Sequence, residues 1–326
     1  MMSHERMRDR ARGCLVGGAV GDALGYPVEF MSLKEIRRQY GPAGIRALEA
    51  HGSEGTAVVS DDTQMTLFTA NGLLLGAAHP KERTMERWIH AAYLDWLDTQ
   101  WATELCEGHS WLHDLPKLYA RRAPGNTCLS ALESGRMGSV DAPVNSSKGC
   151  GGIMRVAPVA VFGRAMGWDE ERTVRLGAEA AAITHGHPLG WLSAAALVDI
   201  VGRVLDGADP ERAARQCAEA LAERHSDDPW AGVMALGIRN ALELAKNGRE
   251  DADNIAALGG GWVGEEALYI AVYCASRHAN DFDAAMVASV NHDGDSDSTG
   301  AITGNIVGAH LGGAAISEKW TSKLEL

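Results

Sequence analysis

Along nearly the whole chain, apolar side chains return every three or four positions, and that spacing restricts the fold to helices. In TMERWIHAAYLDWLDTQW (84–101), Trp88, Ala91, then Ala92 or Tyr93, then Leu94 or Trp96 fall on one side. The segments ERTVRLGAEAAAIT (171–184), LGWLSAAALVDIVGRVLDG (189–207), DPERAARQCAEALAERH (209–225) and PWAGVMALGIRNALELAKNG (229–248) follow the same rule. Asp209-Pro210 reads as a helix start, and Gly207 and Gly248 read as helix stops. Alternating runs of Val, Ile, Thr and Tyr bounded by turns do not occur, so strands are not expected. The breaks at 41–55 and 137–152 have loop composition, with apolar helices on either side and no Pro/Ser-rich linker. A single all-α domain over residues 1–326 is therefore expected, closely packed by its many alanines and tryptophans.

The chain has 326 residues, of which 46% are hydrophobic, enough for a sizeable core. Its 43 acidic and 30 basic side chains give a formal net charge of −13, which argues against nucleic acid as the primary partner. The short basic patches Arg6–Arg12 and Arg121–Arg122 read as solvated helix faces. Cysteines 14, 106, 128, 150, 217 and 274 form no C-x-x-C pair, so zinc ribbons and thioredoxin-like chemistry are not expected. The charged start MMSHERMRDRARG does not resemble a signal peptide, and no uninterrupted apolar run reaches spanning length. These features predict a cytoplasmic protein with reduced thiols and no membrane partner.

Two acid-rich segments carry the chemistry. In NHDGDSDS (291–298), Asp293, Asp295 and Asp297 alternate with Gly294, Ser296 and Ser298 just ahead of an apolar, glycine-rich run. In SDDT (60–63), Asp61 and Asp62 lie between Ser60 and Thr63, again ahead of an apolar helix. Concentrating so much negative charge is costly unless something positive sits among it. Hard divalent cations take carboxylate and hydroxyl oxygens, and helix N-termini supply N–H groups that order such acids. Two half-sites, one early and one late, can converge to hold two metals about 3.5–4 Å apart.

The alternative is capping. Ser60 or Asp61 would cap a helix starting near Gln64, and Ser296 or Asp297 one starting near Thr299. Either segment alone fits both readings; five acids and four hydroxyls together favour metal. An EF-hand is excluded, because its sixth position is Ser298 rather than Gly and its twelfth is Gly304 rather than Glu.

Three further clusters stand out. GCLVGGAVGDALGYPVEF (13–30) leads through Gly-rich helical spacing to Asp22 and Glu29. NSSKGCGGIMRVAPV (145–159) has Gly149, Gly151 and Gly152, which allow close backbone approach to a phosphate, although it is not a Walker A loop and a lone glycine cluster is more often a turn. THGHP (184–188) offers His185 and His187; with no third ligand nearby, a hydrogen-bonding His185 and a structural His187 are preferred to zinc. Cys128 and Cys150 lack an adjacent base and read as small packing residues.

In this order, these five clusters resemble the ADP-ribosylglycohydrolase family, which includes dinitrogenase reductase-activating glycohydrolases and ADP-ribosylarginine hydrolases. The resemblance runs from Gly13 to about Gly313. It implies an all-α, orthogonally packed helical domain with a centre of two Mg2+ or Mn2+ ions at the bottom of a cleft. It assigns Ser60, Asp61, Asp62, Asp295, Asp297 and Ser298 to the metals. Asp61 or Asp62 would orient or deprotonate the attacking water, with Glu29 as a gate or alternative base. Gly149, Cys150, Gly151, Gly152 and Met154 would lie near the ribose and phosphates, with His185 reaching the same part of the ligand and Asn126 and Thr127 lining the cleft. The implied reaction removes ADP-ribose from modified protein side chains. The D-S-D-S-T-G form at 295–300 is more similar to the arginine-specific branch, which points to ADP-ribosyl-arginine as substrate and ADP-ribose as product. A serine-linked ADP-ribose hydrolase, an immunity protein reversing a toxin's ADP-ribosylation, and a non-enzymatic ADP-ribose-binding module are the competing expectations.

Overall fold

The computed structural model describes residues 4–50, 55–224 and 228–325, and among these the expected helices dominate. In chain order they are α1 (His4–Gly25), α2 (Leu33–Tyr40), α3 (Asp61–Ala78), α4 (Met85–Trp101), α5 (Asn126–Glu133), α6 (Ala157–Ala165), α7 (Glu170–Ala182), α8 (Pro188–Leu205), α9 (Pro210–Arg224), α10 (Pro229–Leu244), α11 (Asp251–Ala256), α12 (Gly264–Arg277), α13 (Phe282–Val290), α14 (Ser296–Leu311) and α15 (Glu318–Thr321). No strand forms among the described residues. Two isolated bridges occur, Ala57 with Leu324 and Gly149 with Val263.

The first and last long helices meet along a stripe of glycines that brings their backbones together. Going along α1, Gly13, Gly17, Gly21 and Gly25 face Gly308, Gly304, Gly300 and Ser296 of α14, so the helices run antiparallel. Steps of four keep these positions on one stripe of each helix. A Cβ on Gly21 would lie 2.0 Å from the Gly300 carbonyl oxygen, and one on Gly304 would lie 2.0 Å from that of Gly17. Asn305 Nδ2, inside this contact, donates to the Cys14 carbonyl at 2.9 Å. Every residue of α14 from Ser296 to Ala309 is buried, so it is an interior helix with α8, α12 and α13 around it.

α8 has a mean hydropathy of 1.4 over 18 residues, apolar and long enough to cross a membrane, but 83% of it is buried inside the protein. Its charged residues are paired there, Asp199 Oδ1 with Arg203 Nε at 2.8 Å. α4 turns Trp88, Ala91, Ala92, Tyr93 and Trp96 inward, the face its periodicity predicts.

Local details depart from expectation at four places. α3 and α14 start at Asp61 and Ser296, three residues before Gln64 and Thr299, because Ser60 and Asp295 are the caps. Ser60 accepts from the Asp62 N–H and Asp295 from the Ser298 N–H, which draws the acids into the first turn where the helix dipole favours them. α10 ends at Leu244, ahead of Gly248, whereas Gly207 takes φ +111° just after α8. Arg10 of the Arg6–Arg12 patch is buried and donates to the Val204 carbonyl. Arg121 and Arg122 lie on a loop rather than a helix face.

The glycine-lined crossing yields a prediction of opposite signs. Gly304→Ala is expected to cost about 1–3 kcal/mol by overpacking. Gly232→Ala, on an exposed position of α10 with no atom within 4 Å of its added Cβ, is expected to gain about 0.5–1 kcal/mol. Urea unfolding of the two variants beside the parent measures both.

Candidate active site

The crossing of α1 and α14 delivers two acids to the start of α14. Asp22, fully buried near the end of α1, accepts from the Ser60 N–H at 2.9 Å, from the Thr63 N–H at 3.0 Å and from the Thr63 hydroxyl at 2.5 Å. It thereby fixes the turn that opens α3. Glu29, just after the 3-10 turn Tyr26–Val28, lies with Asp295 and Asp297 so that one oxygen of each falls within 4.8 Å of the others.

The two acid segments converge here. The Ser60 side chain lies against both Asp62 Oδ2, at 3.4 Å, and Asp297. Asp61 is held from the opposite wall: its Oδ2 accepts from the Gly125 N–H at 3.1 Å, and its own N–H donates to the Arg122 carbonyl at 3.2 Å. Ala123 between these two contacts takes φ +51°, a left-handed conformation that a non-glycine residue adopts at a cost of about 1 kcal/mol or more. Asp293 does not join the cluster, because it accepts from the Leu33 N–H at the start of α2 at 2.7 Å.

Burial and mutual repulsion make these carboxyls hard to ionise. Burial first, then the charges of Asp297, Asp295, Asp61 and Asp22, push the Glu29 carboxyl up to about 10. Burial and Asp297 push Asp22 up to about 7. Asp61, Asp62 and Asp295 are raised well above the usual range, with burial the main cause in each. Glu29 Oε2 and Asp62 Oδ1 are buried with no hydrogen-bond partner. Orphan oxygens among crowded carboxyls at two helix N-termini are a donor set that fits hard divalent cations.

Above the acids opens a cleft of about 530 Å3. Of the residues expected at the site, Glu29, Asp61, Asp62, Asp295, Asp297, Ser298, Asn126, Cys150, Gly151 and Met154 line it. Ser60 lies beneath, fully buried. Gly149, Gly152 and His185 do not line it but pack beside Cys150 and Gly151, with His185 Nε2 facing Gly149 and Gly151, and the Thr127 hydroxyl is turned to Ser147 Oγ at 3.1 Å. His187 is the N-cap of α8, its Nδ1 accepting from the Leu189 N–H at 3.1 Å. Burial pushes the Cys150 thiol up, and Asp295 beside it acts in the same direction, so this cysteine stays a thiol.

Several cleft residues have no sequence signal as site residues. Phe30 and Trp262 stack at the rim, 74% and 44% exposed, with ring centroids 5.7 Å apart. Phe30 follows Glu29 directly, so proximity could have found it; Trp262 sits after three glycines with no periodicity to place it. Arg121 lines the cleft over the Trp101 ring at 4.3 Å, and Arg122 is held by Glu325 and the Val59 carbonyl, so neither is a merely solvated charge. Asp22 was legible only as an acid on a glycine-rich, core-facing helix stripe.

Residues 3–326 match the family model described as ADP-ribosylglycohydrolase. The chain is 28% identical to the ADP-ribosyl-[dinitrogen reductase] glycohydrolase of Rhodospirillum rubrum, covering 100% of this chain and 93% of that protein. It is 25% identical to the ADP-ribosylarginine hydrolase Tri1 of Pseudomonas putida strain GB-1 (99% and 76% covered) and 24% identical to human ADP-ribosylhydrolase ARH3 (98% and 90%). A solved structure titled ADP-ribosylglycohydrolase-related protein complex superposes with a TM-score of 0.67 over 99% of this chain and 94% of that one, at 23% identity, which shows a shared fold.

Comparing Asp22→Ala with Asp22→Asn isolates its role in holding the α3 start, since both remove the charge. The Ala variant, which leaves two buried N–H groups without an acceptor, is expected to be less stable than the Asn variant by about 1–3 kcal/mol in urea unfolding.

Proposed function

Because this chain belongs to the ADP-ribosylglycohydrolase family, and so is an ADP-ribosyl hydrolase, we propose that it cleaves the N-glycosidic bond between ADP-ribose and arginine in a reaction that depends on Mg2+ or Mn2+. The observation that carries this reading is the convergence of Ser60–Asp62 with Asp295–Ser298 beneath one cleft, with Glu29 beside them.

Ser60, Asp61, Asp62, Asp295, Asp297 and Ser298 would hold two such cations. When bound, they supply Lewis acidity and a water that ionises near neutral pH. The protein's own groups do the rest. Asp61 has Oδ2 committed to Gly125, whereas Asp62 Oδ1 is unpartnered. In this reading Asp62 Oδ1 orients the attacking water and accepts its proton, with Glu29 Oε2 the alternative base, and that proton is finally taken up by the departing guanidine, which leaves as the arginine guanidinium. The surrounding carboxylates favour the oxocarbenium-like character that develops at the anomeric carbon. The backbone of Gly149–Gly152 would cradle the pyrophosphate, with Met154 and Asn126 lining the walls.

Charge supports the arginine linkage. Bound cations would favour ionisation of the crowded acids, and even with Glu29 protonated the five carboxylates of Asp22, Asp61, Asp62, Asp295 and Asp297 exceed the charge of two divalent cations. A site left negative favours a cationic guanidinium over a neutral serine oxygen. The D-S-D-S-T-G sequence at 295–300 supports the same choice.

With magnesium present, release of ADP-ribose is expected from arginine-linked substrate and not from serine-linked substrate, and EDTA is expected to abolish it. Release only from serine would reverse the linkage. Asp61→Ala and Asp297→Ala are expected to lower kcat/KM about a hundredfold or more. Millimolar Mg2+ is expected to raise the thermal unfolding midpoint of the parent, as a ligand bound only to the folded state must, and to leave that of Asp297→Asn nearly unchanged.

A further inference from the structure

Arg155 belongs to the G-C-G-G-I-M-R-V stretch, yet it reaches no part of the cleft. Its side chain is fully buried. Its guanidinium donates from Nη2 to Thr184 Oγ1 at 2.6 Å and to the Ala180 carbonyl at 3.2 Å. From Nη1 it reaches Cys128 Sγ at 3.3 Å and Met65 Sδ at 3.4 Å, and it lies over the Tyr93 ring at 4.3 Å. None of these partners is a carboxylate. A buried cation without a counter-charge is expensive, and packing alone does not require one.

What the guanidinium does is written in its next contact. Thr184 Oγ1 accepts from Arg155 and lies 2.8 Å from His185 Nδ1. A hydroxyl has one proton, and its other neighbour, Cys128 Sγ, is a weak sulfur acceptor that already receives Arg155 Nη1, so the proton's place is toward the imidazole nitrogen of His185. His185 Nδ1 then carries the lone pair, and the ring proton sits on Nε2. The nearby cation acts in the same sense: it favours a lone pair facing it, repels an N–H facing it, and opposes a charged ring. Burial and Arg155 push the His185 imidazole down to about 3, so the ring is neutral at neutral pH.

His185 itself is 1% exposed, and among the described residues nothing accepts from its Nε2. That nitrogen points into the glycine cradle, where a Cβ on Gly149 would lie 3.3 Å from it and one on Gly151 3.4 Å. An unpartnered N–H there has one use consistent with its surroundings, donation to an oxygen of whatever the cradle holds.

We propose that Arg155 and Thr184 are positioning residues that lock His185 in its Nε2–H tautomer, so that it presents a neutral N–H donor to a phosphate or ribose oxygen of ADP-ribose seated on Gly149–Gly152. The identity of the ligand rests on the proposed function; the relay itself does not.

Heteronuclear NMR on protein carrying isotope-labelled histidine, near neutral pH and without ligand, reads the relay directly, with the His185 signals assigned by their loss in His185→Gln. The parent is expected to show a pyridine-like nitrogen at Nδ1 and a pyrrole-like nitrogen at Nε2. Thr184→Val is expected to lose that single-tautomer pattern and to weaken ADP-ribose binding about tenfold, with KM changed more than kcat, and Thr184→Ser is expected to restore both. Arg155→Met should move the spectrum in the same direction as Thr184→Val, and the near-isosteric Thr184 variants keep the test available if that variant does not fold. A parent His185 protonated at Nδ1, or a Thr184→Val protein with unaltered tautomer and affinity, overturns the proposal. A parent that shows the expected tautomer but does not bind ADP-ribose counts against the ligand and the proposed function, and leaves the relay standing.

Discussion

The backbone contact between α1 and α14 is the constraint on which the rest depends. With glycine opposite glycine at three successive levels and Ser296 at the fourth, the two ends of the chain approach more closely than any pair bearing side chains could. This closeness has a chemical consequence. It carries Asp22 to the turn before α3 and Glu29 to the turn before α14, so groups from residues 22, 29, 60–62 and 295–298 share one small volume. A wider crossing would separate the acids and relieve their repulsion. The fold instead holds them together and leaves two carboxylate oxygens without partners.

Such a site is a store of unfavourable electrostatics, and the local structure offsets part of it. Both acid segments occupy helix N-termini, where caps from Ser60 and Asp295 satisfy N–H groups and the helix dipoles favour negative charge. The C-terminal tail supports the approach to α3: Glu325 accepts from the Val59 N–H at 2.9 Å and pairs with Arg122, whose carbonyl in turn receives the Asp61 N–H. Capping and the proposed metal binding, which look like rivals in sequence, are compatible in the same residues. The cap fixes one set of atoms and leaves another free for a ligand.

Much of this was legible in the sequence, for physical reasons. Helical periodicity gave the all-helical class, and the inward face of α4 follows from residue spacing alone. The paired Ser/Asp segments pointed to one another because two acid-rich helix starts flanked by hydroxyls are the donor set that a shared cation would take. Other features were not legible, since they depend on which surfaces meet. Nothing in GCLVGGAVGDALG states that its glycines face those of ITGNIVGAHLGG, nor that Asp22 serves the 60–63 turn. The first helical residues of α3 and α14 were misplaced by three because a cap and the acids after it look alike in sequence. Arg155 reads as an ordinary charge until its burial and its uncharged partners are seen.

The central claim is that these converging acids hold a pair of divalent cations. Crystals grown with Mn2+ and measured for anomalous scattering test it most directly. Two peaks about 3.5–4 Å apart, one bounded by Asp61 or Asp62 and both touching the Asp295–Ser298 turn, are the predicted result. An ordered Asp61–Asp297 cluster with no anomalous peak beside it at millimolar Mn2+ would contradict the account.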